Sequence, residues 1–283
     1  MKFPSPVCSN TIVDCNNHVW IPRSFPDFLT ELNYLISQCA GEDPLPLFRG
    51  HSESKLLLES TFARSCKRYI LGLESFSKIP RHIQESIDYH RVVLNILLLK
   101  FGVIVRPENE DDPHIDSWFE LMRKFQQYPE NDLHHFKGTF FLDWSKSAEV
   151  SLFFANSNRN GDGALWVCDT VATGKTLQMK SVGEVLDIMN ARCNKTNPDP
   201  PGCPLIFHPP QQNHEERVMR QQAIYIAQMD LRFDFASIWN KQEIDNKIEQ
   251  IFVKLVLPNG TQSECNCYLA SKGITETWLF PDN

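Results

Sequence analysis

Three short segments place polar side chains at the ends of apolar runs, where a binding or catalytic site could form. In the first, Arg49, Gly50 and His51 follow the apolar residues Leu47 and Phe48. A guanidinium binds phosphate or carboxylate through two parallel hydrogen bonds, and glycine lets a backbone or a ligand approach closely. The alternative is that Arg49 pairs with a carboxylate at a sheet edge and serves only the fold.

The second segment is Leu142-Asp143-Trp144-Ser145, where an apolar strand is predicted to run into a helix at 146–156. Two interpretations stay open. Asp143 or Ser145 can cap the backbone amides at the start of that helix. Trp144 in a strand-to-helix turn can instead offer a stacking surface to a planar ring, and the N-terminus of a helix favours anions.

The third segment is a polar run that leads into an apolar strand and contains Glu215, Glu216, Arg217 and Gln221. A solvated loop accounts for much of this run. Because Arg217 and Gln221 flank the apolar Val218, however, we expect one of them to face inward.

Composition narrows the class of protein. The chain has 283 residues and a formal net charge of -7, which argues against sequence-independent binding of nucleic acid, because that depends on clustered Lys and Arg. It has no apolar run of membrane-spanning length and no signal-like N-terminus. Nine scattered cysteines without zinc spacing are typical of reduced thiols. We therefore expect a cytoplasmic protein with no metal, no membrane association and no nucleic-acid partner; the acidic surface and the Pro-rich 198–210 region permit a protein target.

The order of predicted elements indicates one α+β domain with a helical insertion after the first strand. Helices are predicted at 27–37, 57–101 with breaks near Gly72 and Pro80, 115–127, 146–156, 235–240 and 261–272, strands at 48–50, 138–142, 163–169, 205–207, 223–228 and 248–257, and loops at 107–113 and 191–204. No strand is followed by a glycine-rich phosphate-binding motif, which disfavours a doubly wound nucleotide fold.

Taken together, these segments resemble the FRG domain, a family named for its Phe/Tyr-Arg-Gly motif. The resemblance implies an N-terminal extension at 1–17 and an FRG domain at 18–283. Its matching segments are LFRG at 47–50, LLLESTFAR at 56–64, LDWSKSAEVSLFFA at 142–155, ALWV at 164–167, RVMRQQAIY at 217–225 and LASKGITETWLFPD at 269–282. Two residues depart from the family pattern: Phe140 stands where an arginine is expected, and Ala223 stands where a glycine is usual. If the family site uses that arginine for a phosphate, this chain either lacks one contact or supplies it from another residue such as Arg64 or Lys146.

More distantly, the order of the segments is similar to that of ADP-ribosyltransferases, which implies a split β-sheet core and NAD as substrate. The resemblance implies a catalytic role for Glu216 or Glu215 and places Ser145 at the ribose. The residues that it implies for NAD binding are Arg49, Gly50, Asp143, Trp144, Arg217 and Gln221.

Cleavage of the nicotinamide bond of NAD develops positive charge on the ribose, which a carboxylate stabilises. The resemblance therefore implies modification of a macromolecule or hydrolysis of NAD, and a setting of conflict between phage and host. The alternative is a module without enzymatic activity that senses a nucleotide or binds a protein, in which Arg49 is structural.

Overall fold

An eight-stranded mixed sheet forms the centre of the protein. The computed structural model describes residues 5–39, 46–104, 122, 125–126, 132–169, 205–207, 216–246 and 252–281. The strands are β1 (Ile12–Asp14), β2 (Val19–Ile21), β3 (Leu47–His51), β4 (Phe141–Ser145), β5 (Gly163–Cys168), β6 (Leu205–Phe207), β7 (Ala223–Ala227) and β8 (Phe252–Leu257). Their order in the sheet is β1-β2-β8-β5-β3-β4-β7-β6, in which β2 and β8 are parallel and the other pairs antiparallel.

Helices surround this sheet, and together with it they confirm the predicted α+β class. They are α1 (Phe25–Gln38), α2 (Thr61–Leu71), α3 (Arg81–Gln84), α4 (Asp88–Ile104), α5 (Ala148–Asn156), α6 (Glu216–Gln221), α7 (Phe235–Asn246), α8 (Gln262–Ser271) and α9 (Glu276–Leu279). The predicted breaks near Gly72 and Pro80 are both present. Gly72 ends α2 in the left-handed conformation, with φ of 65°, and Pro80 precedes α3. Among the described helices, none combines the length and apolar character needed to cross a membrane.

The predicted helical insertion is present as α2, α3 and α4, which lie between β3 and β4. The strand that carries Arg49 is the third strand, however, because β1 and β2 precede it. These two strands have three residues each, which is too short for an alternating pattern to reveal them. Part of the segment 1–17, predicted to be an extension, thus forms an edge strand, and the backbone N–H groups of Val7 and Cys8 donate to the Glu31 carboxylate at 3.0 and 2.8 Å.

The apolar residues form three clusters that cover the two faces of the sheet. Alternate residues of each strand point to opposite faces. On one face, α1, α5 and α8 pack on the half made of β2, β8, β5 and β3, and the helical insertion packs on β4 and β7. On the other face, residues of α7 pack against β3, β4, β5 and β7. The first face therefore carries two separate groups of helices.

The sheet opens between β3 and β4, at the boundary between these two groups of helices. The ladder between β3 and β4 has a single pair, Phe48 with Ser145, whereas β3 with β5 and β4 with β7 each have five pairs. Backbone hydrogen bonds therefore do not hold β3 and β4 together beyond that one pair.

The observed position of β4 corrects the sequence-based prediction. The strand covers 141–145 rather than 138–142, because its pairing with β7 extends from Phe141 to Ser145. Asp143, Trp144 and Ser145 consequently lie inside a strand and not in a turn. The helix that follows is capped by Ser147, whose hydroxyl accepts from the Val150 N–H at 3.2 Å.

Several predictions concern segments that the structure covers little or not at all. Of the helix predicted at 115–127, residues 122, 125 and 126 are described, and all three are helical. The loops predicted at 107–113 and 191–204 lie outside the described residues.

Candidate functional site

A cleft of about 310 Å³ lies where β3 and β4 separate. Six parts of the chain line it: β3 with the residue after it, Leu56, β4, α5, the α6–β7 segment and Gln126 from the helical insertion. The cleft thus brings together the three segments that the sequence marked as candidates for chemistry.

Gly50 is needed because α5 lies directly on β3. A Cβ atom at Gly50 would stand 1.9 Å from the main-chain oxygen of Ser151 and 2.6 Å from the nitrogen of Ala155, both in the backbone of α5. Since a helix backbone cannot yield as a flexible side chain does, no other residue fits this position. Gly50 also lines the cleft, but the close approach that it allows is that of the helix.

Arg49 reaches across the opening between the strands. Its Nη1 donates to the main-chain oxygen of Asp143, and its Nε donates to Nε2 of His51 at 3.2 Å. A guanidinium has five N–H groups, so three of them have no acceptor among the described residues. Burial lowers the pKa of Arg49 to about 10, against the opposing effect of Asp143, so the group keeps its charge at neutral pH. Arg49 therefore presents unused charged donors to the cleft.

His51 also lines the cleft, and it is a neutral imidazole. Because Nε2 accepts the hydrogen bond from Arg49, the ring carries its proton on Nδ1. Burial, and then the charges of Arg49, Arg64 and Lys254, hold the pKa of His51 well below its usual range. His51 thus orients Arg49 without adding a charge of its own.

Asp143 supplies a carboxylate to the cleft. Its Oδ1 accepts from Nε2 of Gln126 at 3.1 Å, and the same amide donates to the main-chain oxygen of Phe141 at 3.1 Å. Burial raises the pKa of Asp143, while Arg49, Gln126 and Arg217 act in the opposite direction. A carboxylate with a raised pKa that faces two guanidinium groups in a cleft is a frequent feature of functional sites.

Arg217 and Gln221, the two residues that flank Val218, both line the cleft. Val218 is buried, as the pattern predicted. The C-terminal segment holds α6 in place: Arg220 donates to the main-chain oxygen of Trp278 at 2.7 Å, and the Arg217 guanidinium lies 4.6 Å from the centre of the Phe280 ring. The last described residues of the chain therefore position one wall of the cleft.

Ser145 and Trp144 are placed differently from their predicted roles. The Ser145 hydroxyl donates to the main-chain oxygen of Gln221 at 2.7 Å and accepts from the N–H of Ser147 at 3.0 Å. The Trp144 ring is 2% exposed and meets the ring of Trp239 with centroids 6.1 Å apart. Both residues line the cleft, but Ser145 ties β4 to α6 and the almost fully buried Trp144 ring packs against α7.

The structure describes one of the two predicted catalytic carboxylates, Glu216, and places it on the surface. Glu216 is the first residue of α6, its side chain is 58% exposed, and it pairs with Arg220 one turn later. It is not among the residues that line the cleft. Glu215 lies outside the described residues. In the described part of the cleft, the carboxylate is that of Asp143.

Neither of the two residues suggested to replace the arginine expected at position 140 lines the cleft. Phe140 is fully buried and contacts Phe141 with ring centroids 4.3 Å apart. Lys146 is exposed, and Arg64 donates to the main-chain oxygen of Glu59 at 2.6 Å; neither lines the cleft. The second guanidinium of the cleft comes from Arg217.

Sequence reasoning missed several residues that line the cleft. They are Ser52, Leu56, Gln126, Ser151, Phe154 and Tyr225, whereas His51 was named in the first segment without a role. One local signal was available. Ser151 and Phe154 are three residues apart in a predicted helix, so they lie on the same face of it. Gln126 lies in a helix distant in sequence, so nothing local could assign it. Among the described residues, no group of three or more His, Cys, Asp or Glu side chains is arranged to hold a metal ion.

Comparison with known proteins gives no match: no family model, no curated protein and no solved structure is similar to this chain. The resemblance to the FRG domain therefore rests on the residues quoted above, and the site must be interpreted from its own geometry.

Proposed function

We propose that the cleft binds the phosphate groups of a nucleotide, and that NAD is the first ligand to test. The observation that carries this proposal is the state of Arg49. It is a charged guanidinium held across the opening of the sheet by Asp143 and His51, with three N–H groups that have no acceptor among the described residues. Phosphate oxygens are the acceptors that best suit such a fork of donors.

The balance of charge in the cleft supports an anionic ligand. Arg49 and Arg217 both line it, and Arg64 is near enough to lower the pKa of Arg49. Asp143 is the single carboxylate among the described lining residues, and its raised pKa shows that burial opposes its ionisation. In a protein with a net charge of -7, such a local excess of cations would concentrate an anion at this place.

Size and lining favour a nucleotide over a single inorganic ion. The cleft volume of about 310 Å³ lies at the lower end of pockets for small organic molecules, which are roughly 300–1,000 Å³. The amide of Gln221 and the hydroxyl of Ser52 add polar groups suited to a ribose. The resemblance to ADP-ribosyltransferases supports NAD as the particular nucleotide.

The decisive experiment is calorimetric titration of the protein with NAD, in parallel with Arg49→Ala. We expect the variant to weaken binding roughly 10- to 100-fold, because charge-assisted hydrogen bonds contribute about 1.5–3 kcal/mol. The matched control is Arg81→Ala, which removes the same charge from an exposed arginine on α3. Circular dichroism checks the fold of both variants.

A different result would support a structural role for Arg49, which its hydrogen bond to the Asp143 main chain also favours. If the wild type binds neither NAD nor inorganic pyrophosphate, and Arg49→Ala melts well below Arg81→Ala, the arginine serves the fold and the binding proposal is wrong.

A second candidate function, cleavage of NAD, is favoured by the Asp143 carboxylate. In such a reaction the bond between the ribose carbon and the nicotinamide nitrogen breaks, and its electron pair leaves with nicotinamide. Water or an acceptor group then forms the new bond to the ribose carbon and loses a proton. Asp143, held by Gln126, would stabilise the positive charge that develops on the ribose.

Release of nicotinamide tests this second function separately from binding. We expect Asp143→Asn to abolish release while NAD still binds, because the amide keeps the shape of the side chain but not its charge. Equal release by both proteins would exclude Asp143 from the chemistry. Binding without any release by the wild type, with water as the acceptor, would support a nucleotide sensor over an NAD hydrolase.

A further inference from the structure

We propose that Phe154 forms a ring-binding subsite at the mouth of the cleft, which takes the planar heteroaromatic ring of a phosphate-bearing ligand. This inference rests on the proposed function and extends it from the phosphate groups to the rest of the ligand. The sequence had suggested Trp144 for such stacking, but its ring is packed against α7.

The exposure of Phe154 is the first observation. Its side chain is 36% exposed, whereas Leu152 and Ala155 on the same helix are fully buried. Among the exposed large apolar side chains in the described part of the chain, it is the one that lines the cleft. A large aromatic ring at the wall of a polar cleft exposes apolar surface that a ligand ring would cover.

The two neighbouring rings are perpendicular to Phe154. They belong to Phe153 and Phe280, at interplanar angles of 87° and 86° and centroid distances of 5.7 and 6.2 Å. Within the described residues, no ring lies parallel to Phe154. A planar ligand ring can therefore add the offset-stacked contact that the protein does not supply.

The position of Phe154 relative to the cationic groups suits a nucleotide. It lies three residues after Ser151, whose main-chain oxygen is in contact with Gly50, the residue next to Arg49. One helical turn of α5, about 5 Å, thus separates Phe154 from the residue that contacts Gly50. The Arg217 guanidinium, which also lines the cleft, lies 4.6 Å from the centre of the Phe280 ring, and Phe280 in turn contacts Phe154. A cationic group of the cleft therefore shares a neighbouring ring with Phe154.

The matched pair of ligands for the test is NAD and inorganic pyrophosphate, which lacks a ring. Wild-type protein should bind NAD more tightly than pyrophosphate. We expect Phe154→Leu to weaken NAD binding roughly tenfold or more and to leave pyrophosphate binding within about twofold, because stacking on an aromatic side chain is lost while the phosphate contacts stay. Phe154→Tyr keeps the ring and should keep NAD affinity.

Phe76→Leu is the control, since it makes the same change at a phenylalanine that is 46% exposed and does not line the cleft. It should alter neither affinity. If pyrophosphate binds but Phe154→Leu leaves NAD affinity unchanged, or weakens both ligands equally, the ring subsite is wrong and the phosphate site stands. It is equally wrong if the wild type binds NAD no better than pyrophosphate. If neither ligand binds the wild type, the proposed function itself fails.

Discussion

Lys100 and Arg49 are largely buried cations in two different regions of this protein, and their surroundings differ. In the helical insertion, Lys100 donates to the Asp132 carboxylate at 2.7 Å and to two main-chain oxygens at 3.0 and 2.7 Å, so its three N–H groups are all used. At the opening of the sheet, Arg49 has partners for two of its five N–H groups within the described structure. A satisfied cation serves the fold, whereas an unsatisfied one on a cleft is available to a ligand.

Two other buried ion pairs resemble that of Lys100, because their cations are well supplied with acceptors. Arg232 binds both carboxylate oxygens of Asp230, at 3.0 and 2.8 Å, and also donates to the main chain of Gln84 at 3.0 Å. Lys67 pairs with Glu59 where both side chains are almost fully buried. None of these residues lines the cleft. The comparison thus separates charges that close the core from charges that face a site.

The largest effect is expected from removal of Lys100, the buried cation whose N–H groups are all used. Lys100→Met leaves the Asp132 carboxylate buried without its cation, and loss of one partner of a buried pair costs about 3–5 kcal/mol. Urea denaturation should show this loss, and any NAD affinity of the remaining folded protein should be unchanged. Lys55→Met, at an exposed lysine, is the control and should change stability by less than about 1 kcal/mol. A stable Lys100→Met protein with impaired binding would contradict the separation of the two regions.

Gly50→Ala adds a Cβ atom where β3 and α5 form a wall of the cleft. The new Cβ would collide with the backbone of α5, and we expect a loss of about 3 kcal/mol in the free energy of unfolding, with displacement of the helix. Gly161→Ala, where a Cβ meets nothing within 4 Å, is the matched control for denaturation experiments. Equal stability of the two variants would show that α5 does not need to lie so close to β3.

Asp143→Asn tests whether burial in the cleft destabilises the ionised carboxylate of Asp143. Burial raises the pKa of Asp143 above its ordinary 3.8, so the folded state holds this proton more tightly than the unfolded state does. Protonated Asp143 stabilises the folded state fully below the ordinary pKa, and this stabilisation is lost as pH rises through the folded-state pKa. It amounts to about 1.4 kcal/mol for each unit by which the pKa is raised. The stability of the wild type relative to Asp143→Asn should therefore fall as pH rises above about 4 and through the folded-state pKa. A difference that grows with pH would mean that the arginines outweigh burial.

Glu216→Gln has the smallest expected effect and tests whether Glu216 belongs to the site. Glu216 is exposed and pairs with Arg220 on the surface, so stability should change by less than about 0.5 kcal/mol. NAD affinity and nicotinamide release should be the same as in the wild type, measured by calorimetry and by product analysis. A tenfold loss of either would move the catalytic centre toward the N-terminal end of α6.

Local features of the sequence predicted much of the secondary structure. The Ser24 cap, Gly72 and Pro80 mark helix boundaries through backbone hydrogen bonds and dihedral angles that depend on nearby residues alone. The apolar alternation of β7 was similarly visible, because burial on a sheet has a period of two. The α+β class followed from the order of these elements.

The sequence by itself also determined which residue types were available for a site, including Arg49, Asp143 and Arg217. Only the tertiary structure decided how they are used. Pairing with β7 extended β4 through Trp144 and turned its ring toward α7, and the start of α6 left Glu216 on the surface. Separation of β3 from β4 created the cleft itself. Such outcomes depend on contacts between residues far apart in the chain, and no local pattern encodes them.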